Sequence, residues 1–182
     1  MKALWVATLC LLGCLLGCAA TPPTGWQRGG TPLSVPRARW VNGEMAVDID
    51  DHGRVRLNGR HVMTVDRAGR AYDPYGEPIA LLRRDGLLYG PDDDAMGWVG
   101  AGEAMLPGDE ERWVVLTPNG EVVRYDRGGP RPFGVWLGCR HPATLQACTL
   151  VTHLMGMELR DRERLAEPHV SVGIGVGVSI GP

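Results

Sequence analysis

No run of apolar residues in this 182-residue chain is long enough to cross a bilayer as a helix. The longest stretch without a charge that could serve, residues 3–17, falls short of the roughly 20 residues a spanning helix needs, and a Pro/Thr/Gly-rich segment follows it at once. Lysine is also nearly missing, since Lys2 is the only one. The formal net charge is −2, with 19 basic against 21 acidic residues, so nothing favours nucleic acid or an anionic lipid surface as a general partner. Several chemical signatures are absent too. There is no P-loop and no H-E-x-x-H, and Gly173, Gly175 and Gly177 do not form a dinucleotide loop because they sit inside an alternating, strand-like run. Gly177-Val178-Ser179-Ile180-Gly181 matches G-x-S-x-G, yet only Pro182 follows, leaving neither the helix nor the later His that a nucleophile elbow requires.

What is present begins with one cation, Lys2, an uncharged run, then Cys18 and the small residues Ala19 and Ala20. This is the layout of a signal peptide over residues 1–17. Leu15-Leu16-Gly17-Cys18 resembles the lipobox of bacterial lipoproteins, in which the Cys sulfur takes diacylglycerol and the chain is cut before it. A second L-L-G-C ends at Cys14, but cutting there leaves a short apolar region, so Cys18 is the expected lipidation site. An ordinary secretory cleavage after Ala20 is the alternative. The resemblance covers the first 20 residues and implies a covalent lipid with palmitate-type acyl chains and a membrane held through it. Ala19 rather than Asp after the Cys implies the outer membrane. Of the five Cys, only Cys139 and Cys148 lie beyond the lipobox, and in an oxidising compartment they are expected to form a disulfide worth about 2 to 3 kcal/mol. With His141 and His153 the same residues spell C-x-H-x(6)-C-x(4)-H, which offers zinc-type ligands as a competing reading.

Residues 18–37 are rich in Pro, Gly and Thr and show no apolar period, so they read as a flexible tether with a reach of roughly 25 Å. A single β-rich domain is expected over 38–182. Its strongest pattern is Gly at the fourth position of D-D-H-G, D-R-A-G, R-R-D-G and T-P-N-G, placing Gly53, Gly69, Gly86 and Gly120 just before short strands. Such turns supply the positive φ that tight hairpins need, and Met45, Val47 and Ile49 alternate with polar or small neighbours. The predicted fold is therefore mostly β (α+β): an antiparallel hairpin meander forming a sheet, sandwich or partly closed barrel. Leu145, Cys148, Val151, Leu154, Met155 and Leu159 recur at helical spacing, predicting one helix over about 143–166, in which Gly156 marks a kink or close packing. Val170 to Ile180 alternates strictly and predicts a final Gly-rich strand over about 169–180.

For metals, Asp92-x-Asp94-x-Met96-Gly97-x(5)-Glu103 matches a calcium loop at positions one, three, six and twelve, making Asp92, Asp94 and Glu103 the candidate ligands. Asp48-x-Asp50-x-His52-Gly53 starts similarly but has Gly59 where the bidentate Glu belongs. No catalytic residue is identified. The expected role is a lipid-anchored cell-envelope lipoprotein of structural or binding type, with a protein partner in the envelope and no nucleic acid. An extracytoplasmic hydrolase or metal-dependent enzyme, with its site near Asp92–Asp94 or His141 and His153, is one alternative. An oligomeric pore built on the final strand is the other.

Overall fold

Asp50 shows how the chain turns. Its carboxylate accepts the backbone N–H groups of His52 and Arg54, both at 3.0 Å, while Gly53 N–H donates to its carbonyl and Gly53 takes φ +78°. Asp66 repeats the arrangement with Ala68, Arg70 and Gly69. These are Asx turns closed by a left-handed glycine, which bring two antiparallel strands together. A second bond recurs with them: a residue at the end of a hairpin donates its N–H to the carbonyl of the glycine that opens it. Val65 bonds Gly53, Leu82 bonds Gly69, Val99 bonds Gly86, Leu116 bonds Gly102 and Trp136 bonds Gly120, all at 2.7 to 2.8 Å. The glycines leave no room for a side chain, since a Cβ on Gly53 would overlap the Val65 carbonyl oxygen.

The structure, a computed structural model, describes residues 20–166. Its strands are β1 (Ala38–Asn42), β2 (Met45–Ile49), β3 (Arg54–Leu57), β4 (Arg60–Val65), β5 (Arg70–Tyr72), β6 (Pro78–Leu82), β7 (Leu87–Tyr89), β8 (Ala95–Val99), β9 (Glu103–Met105), β10 (Arg112–Leu116), β11 (Glu121–Asp126) and β12 (Gly129–Leu137), followed by helix α1 (Pro142–Ala166). Each strand pairs antiparallel with the next, and β1 pairs with β12 to close a barrel. The meander expected from the sequence is thus present, and it is fully closed. The closing register sets Trp40 opposite Trp136, whose rings stack at 5.9 Å, and Trp40 donates to the Phe133 carbonyl at 2.9 Å. Closure leaves the twelve described strands no free edge for another chain to extend.

The connections divide into two rims. Residues 50–53, 66–69, 83–86, 100–102 and 117–120 form the first; 43–44, 58–59, 73–77, 90–94, 106–111 and 127–128 form the second. Trp40, Val47, Ile49, Val55 and Val65 point into the barrel, and the charged Arg39, Asp48, Arg54, Arg56, Arg70 and Arg112 point out. That is the reverse of a membrane-spanning barrel, whose apolar band faces lipid. No helix among the described residues is long and apolar enough to cross a membrane.

Helix α1 runs from the first rim to the second through this interior. From Ala147 to Met155 every side chain is buried, so no face of the helix meets solvent there. At the first rim Gln146 donates to the Val99 carbonyl and Gly102 N–H to the Thr149 hydroxyl; at the second, Arg124 holds Glu163. The helix bounds agree with the sequence expectation, and Gly156 marks close packing, since a Cβ there would lie 2.6 Å from the Trp113 ring.

The tether expectation is corrected from Ala20 onward. The segment is laid along the outer wall from the second rim to the first. Thr21 and Thr24 bond Asp92 and Asp93, Gly30 N–H bonds Ala68, Thr31 N–H bonds Leu82, and Leu33 N–H bonds Arg67. Trp26 is buried against Tyr72 at 5.0 Å beneath the Arg70 guanidinium. Leu81, on the outer side of β6, is buried beside the same segment, whose Gly25 and Gly30 lie close to it. A chain with these bonds and an indole in a socket is part of the fold, whatever its Pro and Gly content. The expected final strand over 169–180, and the pore that rested on it, lie outside the described residues, as does Cys18.

Gly156→Ala should lower the stability of the folded chain by about 1 to 3 kcal/mol, because overpacking against Trp113 exceeds the roughly 1 kcal/mol gain in helix propensity. Equilibrium urea unfolding measures it. A variant as stable as the parent, or more so, would show that the helix has slack inside the barrel.

Candidate functional site

Among the described residues the buried polar side chains are three, all on α1. Thr149, Thr152 and His153 are fully buried, and each meets a group from the wall. Thr152 accepts the Trp136 indole N–H at 2.8 Å and donates to the Cys148 carbonyl; Thr149 accepts from Gly102 and donates to Leu145. His153 Nδ1 accepts the Trp113 indole N–H at 2.8 Å, so Nε2 carries the proton and donates to the Met96 carbonyl at 2.7 Å. Both ring nitrogens are thereby used. Burial pushes the His153 pKa down to about 4, against the smaller upward pull of the Met96 carbonyl, so the ring is neutral at pH 7. The set clamps the helix in the barrel. It offers no free base to a substrate.

Cys139, just after β12, and Cys148, on α1, lie at disulfide distance with Cα atoms 6.2 Å apart, and both are buried. The pair staples the end of the wall to the start of the internal helix. His141 sits exposed at the helix start, where its Nδ1 accepts Ala143 N–H and its carbonyl accepts Thr144. With the sulfurs joined to each other and His153 engaged, these four residues do not assemble as zinc ligands.

The calcium candidates are not brought together either. Asp92 lies in the 3-10 turn Pro91–Asp93 with φ +57°, while β8 stands between Asp94 and Glu103 as an extended strand. Its 5 residues separate the two ends by about 17 Å, where a calcium loop must wrap back on itself. Glu103 instead faces Arg112 across β9 and β10 at 3.7 Å. The acid with a defined task is Asp93, which the sequence pattern passed over. It accepts the Thr24 N–H at 2.7 Å and the Thr24 hydroxyl at 2.6 Å, and these bonds hold its pKa below the usual carboxylate value. Among the described residues one trio of His, Cys, Asp or Glu groups has ligand atoms within 4.8 Å of one another: Asp50, Asp51 and His52. Asp50 is already committed to the turn and to Arg54 and Arg56 at 2.8 and 3.2 Å. Burial works to raise its pKa, but the Arg54 and His52 bonds prevail and lower it to about 2.

The most distinctive surface feature lies where α1 leaves the second rim. A cleft of about 410 Å³ opens over Trp113, with Arg124 and Arg131 from β11 and β12, Arg127 from their connection, and Arg160 and Arg164 from the helix. Arg124 spans it, bonding both Glu163 oxygens at 3.1 and 3.2 Å while its guanidinium lies 5.0 Å over the Phe133 ring. Sequence reasoning missed these residues because they come from two segments about thirty positions apart, each an ordinary charged surface stretch by itself.

No family model, curated protein or solved structure matches the chain.

Acidification should expose the His153 clamp. A His with an ordinary pKa near 6.5 when unfolded and about 4 when folded contributes stability that is fully present above pH 6.5 and lost as the pH falls toward 4. Between pH 7 and pH 5 the loss should reach on the order of 2 kcal/mol in urea unfolding. His153→Gln should flatten that slope while lowering stability at pH 7. An equal slope in both proteins would assign the acid sensitivity elsewhere, because the lowered carboxylate of Asp50 acts only below about pH 4.

Proposed function

We propose that this protein is a lipid-anchored cell-envelope lipoprotein, carried to the outer membrane, whose barrel is a structural or binding module. The observation that carries the reading is the Leu15-Leu16-Gly17-Cys18 string closing an uncharged N-terminal run. Two structural facts support it. The only Cys residues beyond the string lie at disulfide distance, a pairing that suits an oxidising compartment. The tight internal seating of α1 suits a rigid module acting through its surface.

Geometry adds a consequence for how such a module would stand. Thr21 is already bonded to Asp92 on the second rim, so only Ala19 and Ala20 separate Cys18 from the folded barrel. Three residues of extended chain span no more than about 10 Å. An acylated Cys18 therefore holds the second rim close to the headgroups, in place of the long reach a free tether would allow.

Mass spectrometry of the purified protein should find an N-terminal peptide that begins at Cys18 and carries acyl mass, and Cys18→Ser should abolish that mass and release the protein from the membrane fraction. An unmodified amino end in the parent protein would overturn the proposal.

A further inference from the structure

We propose that the arginine cleft at the exit of α1 is a binding site for a phosphate group. Of its five guanidiniums, two are answered by carboxylates: Arg124 holds Glu163 and Asp126 at 3.1 and 3.7 Å, and Arg131 holds Asp126 at 3.2 Å. Arg127, Arg160 and Arg164 have no carboxylate within 4.0 Å among the described residues. Among the described residues the cleft thus carries three guanidiniums outside any ion pair, with Asp109 and Asp161 sharing only the neighbouring cleft with Arg160 and Arg164. The last turn of α1 adds only about half a negative charge from its backbone dipole, too little to cancel them.

The surplus selects the ligand. One carboxylate supplies a single negative charge and leaves most of the cleft unanswered, whereas a phosphate monoester brings nearly two, with three acceptor oxygens for forked guanidinium donors. The positive character is also confined. Glu103, Glu110 and Glu111 line the adjoining cleft across Tyr125, so this rim is not a broad basic face for lying on an anionic bilayer. The phosphate could be free in the envelope or terminal on a lipid headgroup, and the site stands whether or not Cys18 is acylated.

Purified full chain should bind inorganic phosphate or pyrophosphate by calorimetry, with acetate at least tenfold weaker. The triple variant Arg127→Ser, Arg160→Ser, Arg164→Ser should lose at least tenfold in affinity, since each charged bond to phosphate is worth about tenfold or more. Its unfolding midpoint should hold, because these side chains make no ion pairs among the described residues; Arg164→Gln alone serves if the triple variant does not fold. Retention of the Cys18→Ser chain, which carries no anchor, on phosphatidylcholine vesicles containing phosphatidic acid, but not on phosphatidylcholine alone, would assign the phosphate to a headgroup, and saturation in solution would assign it to a free anion. Absence of binding in both arms, equal binding of acetate, or full affinity in the triple variant would overturn the proposal.

Discussion

A closed barrel of twelve strands is wider than its own side chains can fill. About eight strands leave an interior that side chains just occupy, and beyond that a barrel must hold water, a ligand or another segment of chain. Here the occupant is α1, and the rest of the structure depends on its being there. The helix must be apolar on every side, which explains the small and aliphatic run Ala147, Leu150, Val151, Leu154 and Met155. It must also satisfy the indole N–H groups that two large wall residues turn inward, and Thr152 and His153 do so. Unpaired, such groups would each cost about 1 to 3 kcal/mol, so the polar contacts fix the depth and rotation of the helix as well as its presence.

The wall solves a different problem with one repeated device. Five hairpins begin at a glycine whose carbonyl receives an N–H from the far end of the same hairpin, so the turn is tied to the end of the hairpin it launches. The first three leading turns carry an Asp, an Asp and an Arg-x-Asp, and the last a Thr, all offering a side-chain oxygen to nearby backbone N–H groups. Local chemistry of this kind is readable in sequence because it depends on neighbours in the chain. The fifth member, Gly102, escaped because its segment lacks the polar leading residue that marks the others.

Legibility therefore tracked range. The hairpins around Gly53, Gly69, Gly86 and Gly120, the helix over Pro142–Ala166 and the approach of Cys139 to Cys148 rest on period, turn residues and a short loop. The run from Ala20 to Arg37 misled because Pro and Gly describe backbone freedom only in isolation, while Trp26 and Leu33 found sockets on the wall and rim. Asp92, Asp94 and Glu103 misled for a related reason: a spacing that suits a loop means nothing once β8 draws the middle of it straight. The arginine cleft left no trace in any window of sequence, being assembled from β11, β12 and α1.

The amino-acid sequence by itself determined where the chain turns, which faces of its strands are apolar, and that one helix follows the strands, because these depend on interactions between residues close in the chain. Only the tertiary structure decided that β1 meets β12, that the helix lies inside the barrel, and which charges share a surface. Those outcomes turn on the volume left by twelve strands and on contacts between residues far apart in sequence, and no local pattern contains either.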